Sequence, residues 1–181
     1  MQKFMLACCV LVLGLGLWSG PAAAQEDKSG RASPPATASC ALPDGTTITV
    51  DYSSPRMKGR KIYGGIVPYG EVWRAVANEA TTFVTKANLK VEGTDVPAGS
   101  YTMFAIPGTE KWTLIISKKT KEWGTNYPGP GEDLARIEMK VSKLPAPVEN
   151  FTIAFEKGGA GCAMRLDWET TRASVAIEEK K

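Results

Sequence analysis

The stretch "FTIAFEKGGAGCAMRLDWE", residues 151–169, decides the fold class. Phe151, Ile153 and Phe155 alternate with Thr152 and Glu156; the run "KGGAG" interrupts; Met164, Leu166 and Trp168 then alternate with Arg165, Asp167 and Glu169. A period of two places apolar side chains on one face of an extended chain, and the glycine run supplies a turn between two such strands.

Working outward, the same period recurs along the chain. Ile48, Val50 and Tyr52 alternate with Thr47, Thr49 and Asp51, and Thr81, Phe83 and Thr85 open a run continued by Leu89 and Val91. "SYTMFAIPG" is apolar on both faces, Trp112, Leu114 and Ile116 alternate with Lys111 and Thr113, and further runs centre on Ile137, Met139 and Val141 and on Val175 and Ile177. This predicts about eight or nine short strands divided by Gly- and Pro-rich turns. So many apolar alternations require a second layer to cover them, so the expected fold is all-β, an antiparallel β-sandwich of jelly-roll-like topology. One segment departs from the pattern. In "PYGEVWRAVANEATTF", residues 68–83, Val72, Trp73, Val76, Ala77 and Ala80 fall at helical spacing, which predicts one short helix or helical turn near 70–79.

The N-terminal 24 residues, "MQKFMLACCVLVLGLGLWSGPAAA", carry a basic start, an apolar run and Ala22-Ala23-Ala24, the pattern of a signal peptide cleaved after about Ala24. The run is shorter than the roughly 20 residues a membrane-spanning helix needs, so no span is expected in the mature chain, and a secreted or periplasmic location is. Residues 25–39, "QEDKSGRASPPATAS", read as a flexible linker ahead of a single domain over 40–181. Cys8 and Cys9 leave with the signal; Cys40 and Cys162 remain and are expected to form a disulfide in an oxidising compartment, two free thiols being the alternative.

Composition narrows the function classes. The formal charge of +3 over 181 residues is too balanced to imply a nucleic-acid or membrane-surface partner. The chain has no histidine, which removes the Ser-His-Asp and Cys-His catalytic units and nearly all zinc constellations. No phosphate-loop, dinucleotide-loop or calcium-loop spacing occurs, so neither a metal nor a cofactor is expected.

Three stretches carry candidate site residues. In residues 68–83, Arg74 and Asn78 share a face whether the chain is helical or extended, and with Glu79 and the wall of Trp73 they would line a pocket. The alternative makes Trp73 a core anchor, pairs Arg74 with an acid and has Asn78 cap a turn. In "SSPRMKGRKIYGG", residues 53–65, Arg56, Lys58, Arg60 and Lys61 form a cationic cluster suited to a carboxylate, phosphate or acidic glycan, or simply a solvated loop. In "KEWGTNYPGPGED", residues 121–133, Trp123 and Tyr127 would either stack on a sugar ring or pack the loop onto the sheet.

Taken together, "TVDYSSPRMKGRKIYGGIVPYGEVWRAVANEATTF", "VPAGSYTMFAIPG", "KWTLIISKKTKEWG" and "VENFTIAFE" resemble the bacterial family catalogued as domain of unknown function 2911, from about Thr46 to Ile177. The resemblance implies an exported, mostly β domain and brings no reaction with it. The family's recognisable pieces correspond to Ser54-Pro55-Arg56, Gly65, Pro68-Tyr69-Gly70, Trp73-Arg74, Ala77-Asn78-Glu79 and Trp123-Gly124, with Val76 where members commonly have glycine. The expected function is binding of a carbohydrate or small polar envelope ligand in a cleft with Arg56, Trp73, Arg74, Asn78, Glu79 and Trp123. The rival is a histidine-free hydrolase or lyase with Glu79 as general base and Arg74 as charge stabiliser. A structural envelope module without a ligand is the third reading.

Overall fold

The computed structural model describes residues 30–123 and 126–181. The signal peptide over 1–24, residues 25–29 of the expected linker, and Gly124 of the family motif lie outside the described residues. The strands, in chain order, are β1 (Pro35–Ala41), β2 (Thr47–Ser53), β3 (Thr81–Thr85), β4 (Leu89–Val91), β5 (Thr94–Val96), β6 (Gly99–Ile106), β7 (Lys111–Ser117), β8 (Asp133–Gly158) and β9 (Gly161–Glu179). They pair antiparallel in the order β1-β2-β3-β6-β7-β8-β9-β4-β5. The all-β antiparallel architecture expected from the alternation is the one the chain adopts.

The two apolar layers come from one continuous nine-stranded sheet folded back on itself, where the sequence suggests two separate sheets. The bend lies in the long β8–β9 hairpin. Its tip pairs Gly158 with Gly161 across Gly159, which turns at φ 53, and Phe155 faces Met164 and Ile153 faces Leu166 in register. Farther along, the register shifts between Lys143 and Val148 and again between Val148 and Thr152, opposite Glu169, which sits at φ 52. Such irregularities bend a strand and deepen its twist. Cys40 of β1 is disulfide-bonded to Cys162 of β9, their Cα atoms 6.7 Å apart. In a flat sheet, strands six places apart would lie about 29 Å apart at ~4.8 Å per strand, so the sheet must curl to bring them together. The chain leaving β2 completes the closure: Met57 N–H donates to Glu149 O and Phe151 N–H to Pro55 O, both at 2.8 Å.

The curled sheet encloses an aromatic core. Trp112, Trp168, Phe83 and Phe151 are fully buried, and Trp73 lies nearly parallel to Trp168 with centroids 6.0 Å apart. Tyr63 meets Trp112 edge-on at 4.9 Å, and Phe151 meets Trp73 at 5.4 Å. Edge-to-face and offset pairs of this kind add about 0.5–1.5 kcal/mol each beyond the area they bury.

Two expectations are corrected. Residues 35–39, assigned to the linker, belong to β1, which pairs with β2 from Pro35↔Ser53 to Ala41↔Thr47. The inward positions before Cys40 are Ala36 and Ala38, whose single methyls give the alternation almost no amplitude. Pro35 is tolerated because β1 is an edge strand that need not donate outward. No helix forms over 70–79 either; Ala75 and Asn78 take left-handed φ values of 54 and 58, which no α-helix accommodates. Instead Trp73 exchanges both backbone hydrogen bonds with Ala105, at 2.7 and 2.8 Å, and drops its indole into the aromatic core. Burial of that ring outweighs a local preference of a few tenths of a kcal/mol per residue.

Candidate functional site

The segment after Trp73 runs along the surface to β3, and its polar residues are held by contacts far apart in sequence. Asn78 is the tightest of them. Its Nδ2 donates to Ser33 O at 3.1 Å and to Ser53 Oγ at 3.3 Å, and its left-handed backbone is one that asparagine tolerates better than most residues. Asn78 thus ties the chain ahead of β1 to the end of β2. We expect Asn78→Ala to lose about 1–2 kcal/mol through the missing amide bonds and the disfavoured φ, and Asn78→Gly to lose less because glycine restores the backbone freedom. Urea unfolding of the two variants checks this; equal losses would show that the conformation contributes nothing.

Arg74 turns back on its own loop, donating Nε–H to Val76 O at 3.0 Å. Glu79 is clamped by Arg31, whose Nη1 lies 2.8 and 2.9 Å from the two carboxylate oxygens. The Glu79 backbone then bridges to Trp123 in an isolated antiparallel pair, and Ala80 N–H donates to Glu122 O at 3.2 Å. These pairings set Glu79 and Trp123 side by side in a half-open cleft of about 400 Å³. Asp51 and Tyr52 of β2 and Glu122 complete its polar wall, and Lys121, at φ 64, stands at its edge. Trp123 remains 60% exposed, whereas Trp112 and Trp168 are buried.

The six candidate residues are thereby divided. Glu79 and Trp123 share the cleft, Asn78 braces the backbone beside it, and Trp73 is part of the aromatic core. Arg56 lies in a separate cationic depression with Lys58 and Arg60. Tyr127 donates its hydroxyl to Asp133 at 2.8 Å, accepts from Arg136 Nη2 at 2.8 Å and packs edge-on against Phe104, so it fastens the loop to the sheet.

Sequence reasoning passes over Arg31, Asp51 and Glu122. Arg31 sits in an aperiodic run, Asp51 is one of many outward residues on an alternating strand, and Glu122 is marked only by its neighbour Trp123.

Two tyrosine hydroxyls bear on proton-transfer chemistry. Burial pushes the Tyr63 phenol far above the ordinary tyrosine range, reinforced by the negative charge of Glu169, so it stays protonated. Burial also raises the Tyr52 phenol, although its hydroxyl bonds to Ile153 O at 3.4 Å. Neither is poised to exchange a proton near neutral pH. Among the described residues no cluster of carboxylates and cysteines is arranged to hold a metal ion.

Residues 33–177 match the model of the family described as "Protein of unknown function (DUF2911)", and the chain belongs to that family. The match takes in β1 as well as the strands recognised from the sequence, together with Cys40, Cys162 and every described residue of the cleft except Arg31. No curated protein and no solved structure matches the chain.

Proposed function

We propose that this DUF2911 member is an exported binding protein whose cleft between Asp51, Glu79 and Trp123 receives a carbohydrate or a comparably small, hydroxyl-rich ligand. One observation carries the reading: an indole left 60% exposed at the rim of a polar cleft, in a protein that buries Trp112 and Trp168. An exposed indole face costs solvation unless something covers it, and the C–H face of a sugar ring is an apolar plate of matching shape. Asp51, Glu79 and Glu122 offer carboxylate acceptors for ring hydroxyls, and the Arg31 guanidinium holds Glu79 in a fixed orientation. At about 400 Å³ the cleft is within the range of small-molecule sites, roughly 300–1,000 Å³. The disulfide supports export, because such bonds persist in oxidising compartments.

Binding is read by calorimetric titration of the purified protein with neutral and acidic oligosaccharides. We expect Trp123→Ala to weaken the best ligand by about tenfold or more, equivalent to ~1.4 kcal/mol, and Glu79→Gln to weaken it comparably. The unfolding midpoint of Trp123→Ala should stay within about 0.5 kcal/mol of the parent, since the ring packs little in the free protein. Unchanged affinity in Trp123→Ala, or no oligosaccharide bound at all, would refute the proposal.

A further inference from the structure

We propose that the loop from Arg56 to Val72 is an interfacial site that seats the protein on an anionic bilayer surface. Among the described residues four large apolar side chains stand exposed, and Trp123 belongs to the cleft. The other three, Ile66 (49%), Tyr69 (45%) and Val72 (37%), fall within seven consecutive residues. An isolated exposed apolar residue needs no explanation, but three on one short loop make a patch.

The loop cannot hide them by refolding. Ile62, Tyr63 and Val67 are buried and pin it to the core. Gly64 N–H donates to Val67 O at 2.9 Å, Val67 N–H to Ile62 O at 3.0 Å and Gly70 N–H to Pro107 O at 2.8 Å. Gly65 lies so close to Lys61 O that a Cβ there would overlap it. Buried and exposed apolar residues therefore alternate along a rigid turn, with Ile66 and Tyr69 held outward on either side of Val67.

Cations flank the patch. Arg56, Lys58 and Arg60 line a depression of about 410 Å³ with Ala32 and Ser33, and among the described residues no carboxylate lines it. Arg60 is pre-oriented: its Nε donates to Met57 O at 3.0 Å and its Nη2 to Arg56 O at 2.7 Å, which uses two of the five N–H groups a guanidinium carries. Lys61 joins the two halves of the site, because its Nζ and the edge of the Tyr69 ring both lie within 4 Å of one point beside Gly64. Among the described residues the acids near this loop include Glu71, which is exposed, Glu149, whose carboxylate accepts the Lys58 backbone N–H at 2.8 Å, and Glu169 and Asp167, whose charges reach the buried Tyr63 phenol, Asp167 being paired with Arg172 at 2.7 Å. Arg56, Lys58, Arg60 and Lys61 thus concentrate four cations within six residues, a local density that the near-neutral whole chain conceals.

The combination selects the occupant. A basic cluster alone adsorbs loosely to anionic lipid, and a small apolar patch alone partitions weakly; stable peripheral attachment takes both signals together. Tyr69 and Lys61 suit the boundary, since each has an apolar body and a polar end that remains at the headgroups. A soluble polyanion would use the cations and leave Ile66 and Val72 uncovered.

The test is co-sedimentation of the intact protein with vesicles of phosphatidylcholine alone and of phosphatidylcholine mixed with phosphatidylglycerol. We expect binding to the mixed vesicles only, weakening as salt is raised. Lys58→Glu/Arg60→Glu and Ile66→Ser/Val72→Ser should each reduce it by at least about tenfold, and the second pair leaves Tyr69 and its packing on Gly64 untouched. Both variants should keep the parent near-ultraviolet circular dichroism. No binding to the mixed vesicles, or full binding by Ile66→Ser/Val72→Ser, would overturn the proposal; in the second case inorganic polyphosphate competing through the basic residues alone would identify a soluble polyanion site.

Discussion

Reduction of the Cys40–Cys162 bond is expected to lower the free energy of unfolding by about 4–5 kcal/mol while leaving the folded structure in place. The bond closes a loop with a sequence separation of 122, and in the chain-entropy treatment a loop of that order removes enough freedom from the unfolded chain to account for this amount. Its position adds a second reason. Cys40 lies on edge strand β1 and Cys162 near the tip of the β8–β9 hairpin, so the bond closes the curled sheet where no hydrogen-bond ladder joins the two strands. Urea unfolding with and without a reductant, and of Cys40→Ala/Cys162→Ala, measures the effect. A midpoint that does not move on reduction would mean that the curl is held by its core alone.

The core is the subject of the second large effect. Trp168→Ala is expected to cost about 3–5 kcal/mol and to lower the melting temperature by roughly 10 °C. Trp168 is buried against Trp73, Phe151 and Tyr63, and its Nε1 donates to Glu149 O at 3.1 Å. Truncation opens a cavity among these packed rings and removes one of the two donors to Glu149 O, the Met57 N–H remaining. Trp168→Phe should recover more than half of the loss, because most of the ring volume returns without the N–H. If Trp168→Ala cost less than about 1 kcal/mol, the aromatic cluster would not be the centre of the fold.

The two effects separate what is local from what is not. Alternation is written residue by residue, so Phe151-x-Ile153 and Met164-x-Leu166-x-Trp168 declare inward faces without knowledge of any partner strand. Strand β1 escapes notice because alanine fills its inward positions, and 70–79 imitates a helix because Val72, Val76 and Ala80 recur at four-residue spacing. There the decisive facts are the left-handed backbones of Ala75 and Asn78 and the docking of Trp73.

The site divides along the same line. Glu79 and Trp123 stand out in the sequence as a charged residue among small ones and an aromatic on a glycine-rich loop. Their meeting depends on a backbone bridge across 44 positions, 123 minus 79, and on Arg31 reaching back 48 positions to hold the carboxylate. Arg56 looks from its sequence like a partner of Arg74, yet the fold sends it to a depression shared with Lys58 and Arg60.

The order of residues by itself determined that this protein is all-β and antiparallel, since side-chain period is a property of short segments. Only the tertiary structure decided that one sheet would curl over itself, that Glu79 would pair with Arg31, and that Ile66, Tyr69 and Val72 would stand exposed while Ile62, Tyr63 and Val67 are buried. Those outcomes depend on a bend in β8 and β9 and on contacts between distant segments, which leave no periodic trace in the chain.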